Sequence, residues 1–425
     1  MVAPSTRMAM RFTSMAAGQA AMHARAGAAR TVRRLRGDVT CGAEPTAFDP
    51  LDPAVVADPY PAYRELLRGP ALHHNRRRAL WIVSHYDELR AATRDHDALS
   101  SAESVARYRA RLPMMLTVDR PEHTRLRRMV VRDFTRDSVE RWRPDVEELA
   151  RHAVDQMLAD GSTDVVARLA SPLPVAVIAR VLGVPGEDLP AFRGWSDRIV
   201  EGFGAEPKPG ALRANARVLG ATVALRAYLA EQVRDRSGDD LLSRLAAVPD
   251  LTEEELFWFG LMLLVAGNET TTNLLGTMLL AFAEHPDQWA TVKARPELVP
   301  AAVEEALRHV SPIQGLYRTA RSEYRIGDGA IPAGGRVLFL FGAANRDQRH
   351  YPEPDRFLVE RNPGDHLAFG SGIHYCLGAH LARLEATVVL RELAARVDSI
   401  ELDGDPAWSG NPSLRGLARL PLRLS

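Results

Sequence analysis

Cys376 is the residue of this chain whose type and surroundings best suit chemistry, and it lies in the stretch FGSGIHYCLG. Glycine has no Cβ, so Gly370, Gly372 and Gly378 can adopt positive φ and let the backbone approach a bulky group. The sequence after Cys376 has helical periodicity to about Val397, which predicts the cysteine at a helix N-terminus. Unpaired N–H groups and the helix dipole favour a thiolate there. A lone thiolate held by backbone donors suits an iron ligand.

Three other interpretations of this stretch are available. A single cysteine is often buried and inert, but three neighbouring glycines and an aromatic residue disfavour that interpretation. A zinc site is the second, since His366, His374, Cys376 and His380 lie within fifteen residues of one another. Structural zinc sites use paired ligands, and this segment has no second cysteine. A redox dithiol is excluded locally because no C-x-x-C occurs.

The same stretch resembles the haem-binding signature of the cytochromes P450, F-G-x-G-x-H-x-C-x-G, at every fixed position. The resemblance runs from about Phe48 to the C-terminus and implies the P450 fold, a single mainly α domain with small β-sheets (α+β), over residues 45–425. It implies that Cys376 ligates the iron of haem b (iron protoporphyrin IX). Further cofactor-binding residues implied here are Phe369, Gly370, His374 and Gly378.

A long helix is predicted upstream of this stretch. Thr252 followed by Glu255 forms a capping box before an apolar run, and His285-Pro286 ends the helix after Glu284. At about 1.5 Å per residue, such a helix is about 50 Å long and crosses a large domain.

The middle of that helix breaks several local rules within one turn. Gly267 costs about 1 kcal/mol relative to Ala, Thr270 can bond back to the carbonyl four residues earlier, and Glu269 is expensive to bury. Such violations mark functional sites. The segment resembles the P450 pattern A-G-x-[DE]-T-T. By that resemblance Ala266 and Gly267 lie over the haem, Thr270 holds a water or the bound oxygen, and Glu269 relays protons. The alternative is a solvated Glu269 and a packing role for Thr270.

Two further groups of residues match the family. Glu305 and Arg308 share a helix face at i,i+3. Most such pairs are exposed and uninformative, but E-x-x-R resembles the family motif that forms a buried network with a later arginine, here Arg356. His123 and Arg127 at i,i+4, together with Arg318 and His374, resemble the positions that contact haem propionates, which favour guanidinium and imidazole donors. The alternative for each is an exposed basic residue.

Composition limits the functional classes. The 425 residues carry 54 basic and 54 acidic side chains, and this balance argues against a nucleic-acid-binding protein. No apolar run approaches the about 20 residues of a spanning helix, so no membrane anchor is expected. Two cysteines, Cys41 and Cys376, form no disulfide framework and suit a reducing cytoplasm. They are too few for an Fe–S cluster. Residues 1–44, rich in arginine and alanine, resemble a transit peptide in composition, but a disordered extension or an over-long start site is the preferred interpretation.

Local patterns also predict particular elements. Residues 79–84 (ALWIVS) predict a strand, residues 86–94 a helix, residues 100–117 a loop, and residues 337–341 (VLFLF) an apolar strand.

Together these features predict a cytoplasmic haem-thiolate monooxygenase that inserts one atom of O₂ into a lipophilic substrate. Electrons are expected from a ferredoxin or flavodoxin with its reductase, because no flavin domain follows the haem helix. Candidate contacts for that partner are Arg349, Arg361, Arg383 and Arg391. The resemblance to the P450s further implies a substrate pocket lined by residues 100–117, 195–215, 263–266 and 313–316 and by the turn near Leu414. The alternatives are a peroxide-driven peroxygenase, which could dispense with the Glu269–Thr270 pair, and a non-catalytic haem or gas sensor.

Overall fold

The computed structural model describes residues 42–202, 212–234, 238 and 240–425. Most of the predicted N-terminal extension, residues 1–41, lies outside these ranges, as does part of the 195–215 segment. The domain boundary near residue 45 and the disorder before it therefore stay predictions.

Helices make up most of the described chain. They are α1 (Pro53–Ala57), α2 (Tyr60–Arg68), α3 (Tyr86–Arg94), α4 (Glu122–Val130), α5 (Arg136–Glu140), α6 (Arg143–Asp160), α7 (Pro172–Leu182), α8 (Leu189–Gly202), α9 (Leu212–Arg234), α10 (Leu241–Ala246), α11 (Glu253–Glu284), α12 (Pro286–Ala294), α13 (Val299–Val310), α14 (Phe341–Ala344) and α15 (Ala379–Arg396). The predicted helix at residues 86–94 is α3.

The strands form four small sheets among the described residues. They are β1 (Glu44–Pro45), β2 (Leu72–Asn75), β3 (Leu80–Val83), β4 (Leu99–Ser100), β5 (Ser162–Asp164), β6 (Leu316–Ala320), β7 (Tyr324–Ile326), β8 (Gly329–Ile331), β9 (Arg336–Phe339), β10 (Ile400–Leu402), β11 (Ala407–Trp408), β12 (Leu417–Arg419) and β13 (Pro421–Leu424). One sheet has the order β1-β2-β3-β9-β6-β4 and another the order β10-β13-β5. The pairs β7-β8 and β11-β12 complete the set.

The predicted strand at residues 337–341 ends earlier than expected. Phe339 is the last residue of β9, where it pairs with Val83 of β3 and Leu316 of β6. Because both partner strands stop at this register, the chain has no further ladder to join, and Phe341 begins α14. The predicted loop at 100–117 is largely irregular, with one 3₁₀ turn at Met115–Thr117.

The central helix α11 organises the core. Its N-terminus has the predicted capping box, in which the Thr252 side chain accepts from the Glu255 N–H and the Glu255 carboxylate accepts from the Thr252 N–H. It packs against α7, α8, α13 and α15, and most of its apolar side chains are buried in the largest core cluster. Burying each leucine of this kind is worth about 1.5–3 kcal/mol. The helix is therefore a rigid support for the polar turn in its middle.

A search of the described residues for a helix long and apolar enough to cross a bilayer finds none.

Candidate active site

The segment that carries Cys376, residues 366–378, is called the cysteine loop here. Gly370 and Gly372 have φ of 69° and 72°, as glycine permits. A Cβ on Gly372 would lie 2.7 Å from the carbonyl oxygen of Thr93, so the loop approaches the end of α3 too closely for any other residue. Gly378 differs from the prediction, since its φ is −84° and it caps the N-terminus of α15. The N–H of Cys376 donates to the carbonyl oxygen of Phe369 at 3.0 Å, which closes the loop.

The surroundings of Cys376 shift the pKa of its thiol in opposite directions. Burial raises the pKa of its thiol, whereas a hydrogen bond from the Gly378 N–H and the positive charges of Arg127 and Arg383 act to lower it. The backbone donor predicted for the thiolate is present, but burial outweighs it. A metal cation deprotonates a coordinating thiol outright, so this cysteine suits a metal ligand better than a free nucleophile.

Four basic side chains predicted from separate parts of the sequence come together beside the cysteine loop. The rings of His123 and His374 are T-shaped, with centroids 4.5 Å apart. Burial, followed by the charges of Arg318, His123 and Arg127, lowers the pKa of His374 to about 2. Burial lowers the pKa of the fully enclosed Arg318 to about 10. The lowered pKa values leave the His123 and His374 imidazoles neutral near pH 7, so the positive charge of the group lies on Arg127 and Arg318, where an anionic partner would offset it.

This basic cluster fits the two carboxylates of a haem. Among the described residues, the Nε2 atom of His123 is buried without a hydrogen-bond partner. The Nε2 atom of His374 lies 2.8 Å from the hydroxyl of Ser101. Arg127 is close enough to Cys376 for their charges to interact. One ligand with a metal for the sulfur and carboxylates for the bases would satisfy all of these groups, and the residues present fit such a ligand.

The middle turn of α11 shows the predicted irregularities. The hydroxyl of Thr270 donates to the carbonyl oxygen of Ala266 at 2.6 Å, as expected for back-bonding. Asn268 is buried and its amide donates to the hydroxyl of Ser196 at 2.9 Å. Burial raises the pKa of Glu269 to about 7. Its Oε2 atom has no hydrogen-bond partner in the part of the chain that the structure describes. This turn therefore holds a carboxyl whose neutral form is favoured by burial.

Gly267 faces a neighbouring helix. A Cβ at this position would lie 3.4 Å from the Cδ1 atom of Ile178 on α7, so glycine lets the two helices approach closely. The prediction that Gly267 also lies over the cofactor stays a prediction.

The comparisons with known proteins agree with this geometry. A family model described as cytochrome P450 matches residues 229–396. The chain is 44% identical over 381 residues to a beta-dihydromenaquinone-9 omega-hydroxylase of Mycobacterium tuberculosis, covering 88% of this chain and 78% of that protein. It is 39% identical to the cytochrome P450 monooxygenase PikC of Streptomyces venezuelae, covering 92% and 97%. The solved structure of cytochrome P450 CYP109Q5 from Chondromyces apiculatus superposes with a TM-score of 0.80, at 36% identity, covering 89% and 98%.

The chain belongs to the cytochrome P450 family. It is a haem-iron monooxygenase of the haem-thiolate type, as the sequence predicted. The predicted P450 fold, mainly α with small sheets, is confirmed.

The network behind the cysteine loop of this P450 differs from the prediction in one arginine. Glu305 and Arg308 are completely buried and joined by two hydrogen bonds of 2.8 Å. The third side chain is Arg361, whose Nε donates to Glu305 at 3.2 Å and which is 11% exposed. The prediction that Arg356 is the third member of this buried network is wrong. The Arg356 side chain is 61% exposed and binds Glu353, because only its backbone carbonyl turns inward, toward Arg308.

The zinc interpretation of the cysteine loop finds no support. Within residues 42–202, 212–234, 238 and 240–425, no three His, Cys, Asp or Glu side chains are grouped to hold a metal ion. His366 instead lies 3.2 Å from the carboxylate of Glu304.

Sequence reasoning missed three residues of this P450. Ser101, which bonds His374, carries no sequence signal because its partner is 273 positions away. Arg361 could have been suspected, since it follows Arg356 by five positions on the same loop. Glu385 is buried with burial raising its pKa to about 8, and its Oε2 lacks a hydrogen-bond partner among the described residues. Glu385 could have been found from the sequence because it lies four residues after Leu381 and four before Val389, and so on the same apolar face of the helix.

Proposed function

We propose that this P450 binds haem b through the thiolate of Cys376 and uses it to hydroxylate a lipophilic substrate with O₂. The observation that carries the proposal is the convergence of His123, Arg127, Arg318 and His374 beside that cysteine. Two guanidinium groups supply positive charge and two neutral imidazoles supply N–H donors, so the cluster suits an anionic ligand with acceptor oxygens, and the two propionates of haem b are such a ligand. Phe369, Gly370 and Gly378 shape the loop that presents the sulfur.

The bound haem supplies the activation of O₂, with one oxygen atom entering the substrate and the other leaving as water. This chemistry consumes two protons in a pocket from which water is excluded. In this proposal Glu269 exchanges protons with solvent and the Thr270 hydroxyl holds a water that receives them, since the carboxyl titrates near pH 7. The bond from Thr270 to Ala266 orients that hydroxyl by engaging its proton, which leaves the oxygen lone pairs free to accept.

The substrate class rests on apolar lining and on the relatives. In the structure, Ile313 and Leu414 form a β-bridge, which brings together two of the predicted lining segments. Another predicted lining segment, residues 100–117, contains Met114 and Met115, which are buried in the largest core cluster. The relative at 44% identity is named for hydroxylation of a dihydromenaquinone. We therefore include isoprenoid quinones with the terpenes, macrolides, steroids and fatty acids as substrates to be screened.

The electron donor is proposed to be an acidic ferredoxin or flavodoxin with its reductase. Of the four arginines predicted to contact it, Arg391 is exposed and Arg349 is half-exposed beside Asp347. Arg361 is turned inward to Glu305, and Arg383 is paired with Glu304. Arg349 and Arg391 therefore remain as docking candidates. Turnover that does not change with ionic strength would contradict charge-steered docking.

The deciding experiment is the spectrum of the reduced, carbon monoxide-treated protein. We expect the strongly red-shifted Soret band of a thiolate-ligated haem. A spectrum of the imidazole-ligated kind from freshly purified protein, or a colourless protein from haem-replete cells, would contradict the proposal. Substrates are then identified by the spectral change that accompanies displacement of iron-bound water.

A further inference from the structure

Arg383, within the first turn and a half of α15, contacts two residues of the cysteine loop and one carboxylate of α13. Its Nε and Nη2 atoms donate to the two carboxylate oxygens of Glu304 at 2.6 and 2.8 Å. Its Nη1 donates to the hydroxyl of Tyr375 at 3.2 Å. The guanidinium also lies over the ring of Phe369, with 4.6 Å between its Cζ atom and the ring centroid. The side chain is 25% exposed, so these contacts are only partly screened by water.

Glu304 on α13 is held from its other side by His366. The Nδ1 atom of His366 accepts from the N–H of Ala368 at 3.2 Å, so the neutral ring carries its proton on Nε2. That Nε2 atom lies 3.2 Å from Glu304. Although burial acts to raise it, hydrogen bonds from Arg383 and His366 lower the pKa of Glu304 to about 2. The carboxylate is therefore charged and fixes the guanidinium fork in one orientation.

The two residues that Arg383 touches lie directly beside the sulfur ligand. Phe369 accepts the hydrogen bond from the Cys376 N–H, and Tyr375 precedes Cys376 in the chain. The charge of Arg383 also acts on the sulfur through space. The fork thus holds a positive charge close to Cys376 and braces both sides of the loop.

We infer that Arg383, held by Glu304, is a positioning residue for the cysteine loop whose charge sets how readily the iron bound to Cys376 is reduced. This inference rests on the proposed function, because it requires Cys376 to be the iron ligand. Reduction adds one electron to the iron–thiolate unit. A nearby fixed cation stabilises the added negative charge, and a nearby anion destabilises it. Glu304 and Arg383 therefore act on the reduction equilibrium with opposite signs.

The experiment measures the one-electron midpoint potential of the haem-loaded protein by spectroelectrochemical titration. The variants are Arg383→Gln, Arg383→Lys and Glu304→Gln. The matched control is Arg396→Gln, which removes an ion-paired arginine from the same helix. Arg396 is thirteen residues further along α15, about 20 Å away at about 1.5 Å per residue, which exceeds the Debye length of about 8–10 Å.

We expect Arg383→Gln to shift the reduction equilibrium about tenfold toward the ferric form, which is about 59 mV for one electron. Glu304→Gln should shift it in the opposite direction, because it leaves the cation without its counter-charge. Arg383→Lys should return most of the wild-type potential, and Arg396→Gln should leave it unchanged. The carbon monoxide spectrum of each variant checks that the thiolate is still bound.

If the Arg383–Glu304 pair only holds α13 and α15 together and has no electrostatic effect on the iron, a different result is expected. Loosening the loop in either variant would then shift the potential in the same direction, and that outcome overturns the inference, as does a shift no larger than that of the Arg396 control. If Arg383→Gln fails to fold, the midpoint potentials of Glu304→Gln and Arg383→Lys test the inference instead. A wild-type protein without the thiolate spectrum would overturn the proposed function and this inference with it, whereas same-sign shifts would overturn this inference alone.

Discussion

The cysteine loop and the middle turn of α11 are the two parts of this P450 proposed to carry its chemistry, and their polar groups differ in how well they are hydrogen-bonded. In the loop, the Cys376 N–H, the Nδ1 atom of His366 and the Arg383 guanidinium each have a hydrogen-bond partner within 3.2 Å. In the helix turn, Glu269 keeps a buried oxygen without a hydrogen-bond partner in the described chain. A metal ligand needs a fixed position, so satisfied contacts suit it. A proton donor must change state, and a fully bonded carboxylate would hold its charge too firmly.

The largest effect should come from the loop. Replacing Cys376 with Ser removes the soft anionic ligand, so we expect complete loss of the thiolate-type carbon monoxide spectrum and of substrate hydroxylation. The measurement is the difference spectrum together with product formation. Cys41→Ser, which changes the other cysteine in the sequence, is the control and should leave both intact. A Cys376→Ser protein that keeps the spectrum would remove the basis of the comparison.

The next effect should come from the helix turn. Thr270→Ala removes the hydroxyl proposed to hold the proton-carrying water. We expect product formed per reductant consumed to fall by about 10²-fold while peroxide-driven turnover is spared. Thr277→Ala is the matched control. Its hydroxyl makes the same back-bond, to Asn273 at 2.6 Å, two turns further along α11. Equal losses in both variants, or unchanged coupling in Thr270→Ala, would show that the hydroxyl serves the helix rather than the protons.

A third prediction concerns stability and pH. The folded-state pKa of Glu269 is about 7, above the usual value of 4.5, so its neutral form favours folding at low pH and this contribution is lost as the pH rises through 7. Glu269→Gln removes the penalty of the buried charge. It should raise the free energy of unfolding by up to about 3 kcal/mol near pH 8 and leave it unchanged near pH 4.5.

Glu385 sharpens that prediction. It is buried on α15, and burial raises its pKa to about 8. Glu385→Gln should therefore also stabilise the fold at alkaline pH, measured by urea unfolding. The two variants should differ in catalysis. Only Glu269→Gln is expected to reduce the product formed per reductant consumed and to shift the pH profile of that ratio. Reduced coupling in both would mean that proton delivery is not confined to the turn at residues 266–270.

The smallest effect is expected in the buried network behind the cysteine loop, formed by Glu305, Arg308 and Arg361. Arg361→Gln removes one hydrogen bond to a completely buried carboxylate that retains Arg308, and we expect a loss of about 1–3 kcal/mol in the free energy of unfolding. Arg356→Gln should cause no measurable change, since that side chain is exposed. Denaturant unfolding of the two variants compares them directly. The reverse order of effects would restore the prediction made from sequence.

The site could be predicted from sequence where its residues are close in the chain. The cysteine stretch, the capping box of α11 and the bond from Thr270 to Ala266 depend on neighbours within about ten positions, so local rules suffice. Arg356 and Arg361 could not be told apart in this way. Both lie on one irregular loop, and which side chain turns inward depends on how that loop packs against α13.

The amino-acid sequence alone predicted the candidate metal ligand and indicated the polar turn in the central helix and the family, because each depends on residue types at short, fixed spacing. Only the tertiary structure decided which side chains that are distant in the sequence lie close enough to interact. It joined Ser101 to His374, placed Arg361 on Glu305, and directed Arg383 to Glu304 and the cysteine loop rather than to the surface. The physical reason is that burial and electrostatic interaction depend on distance in space, which the order of residues along a chain does not specify.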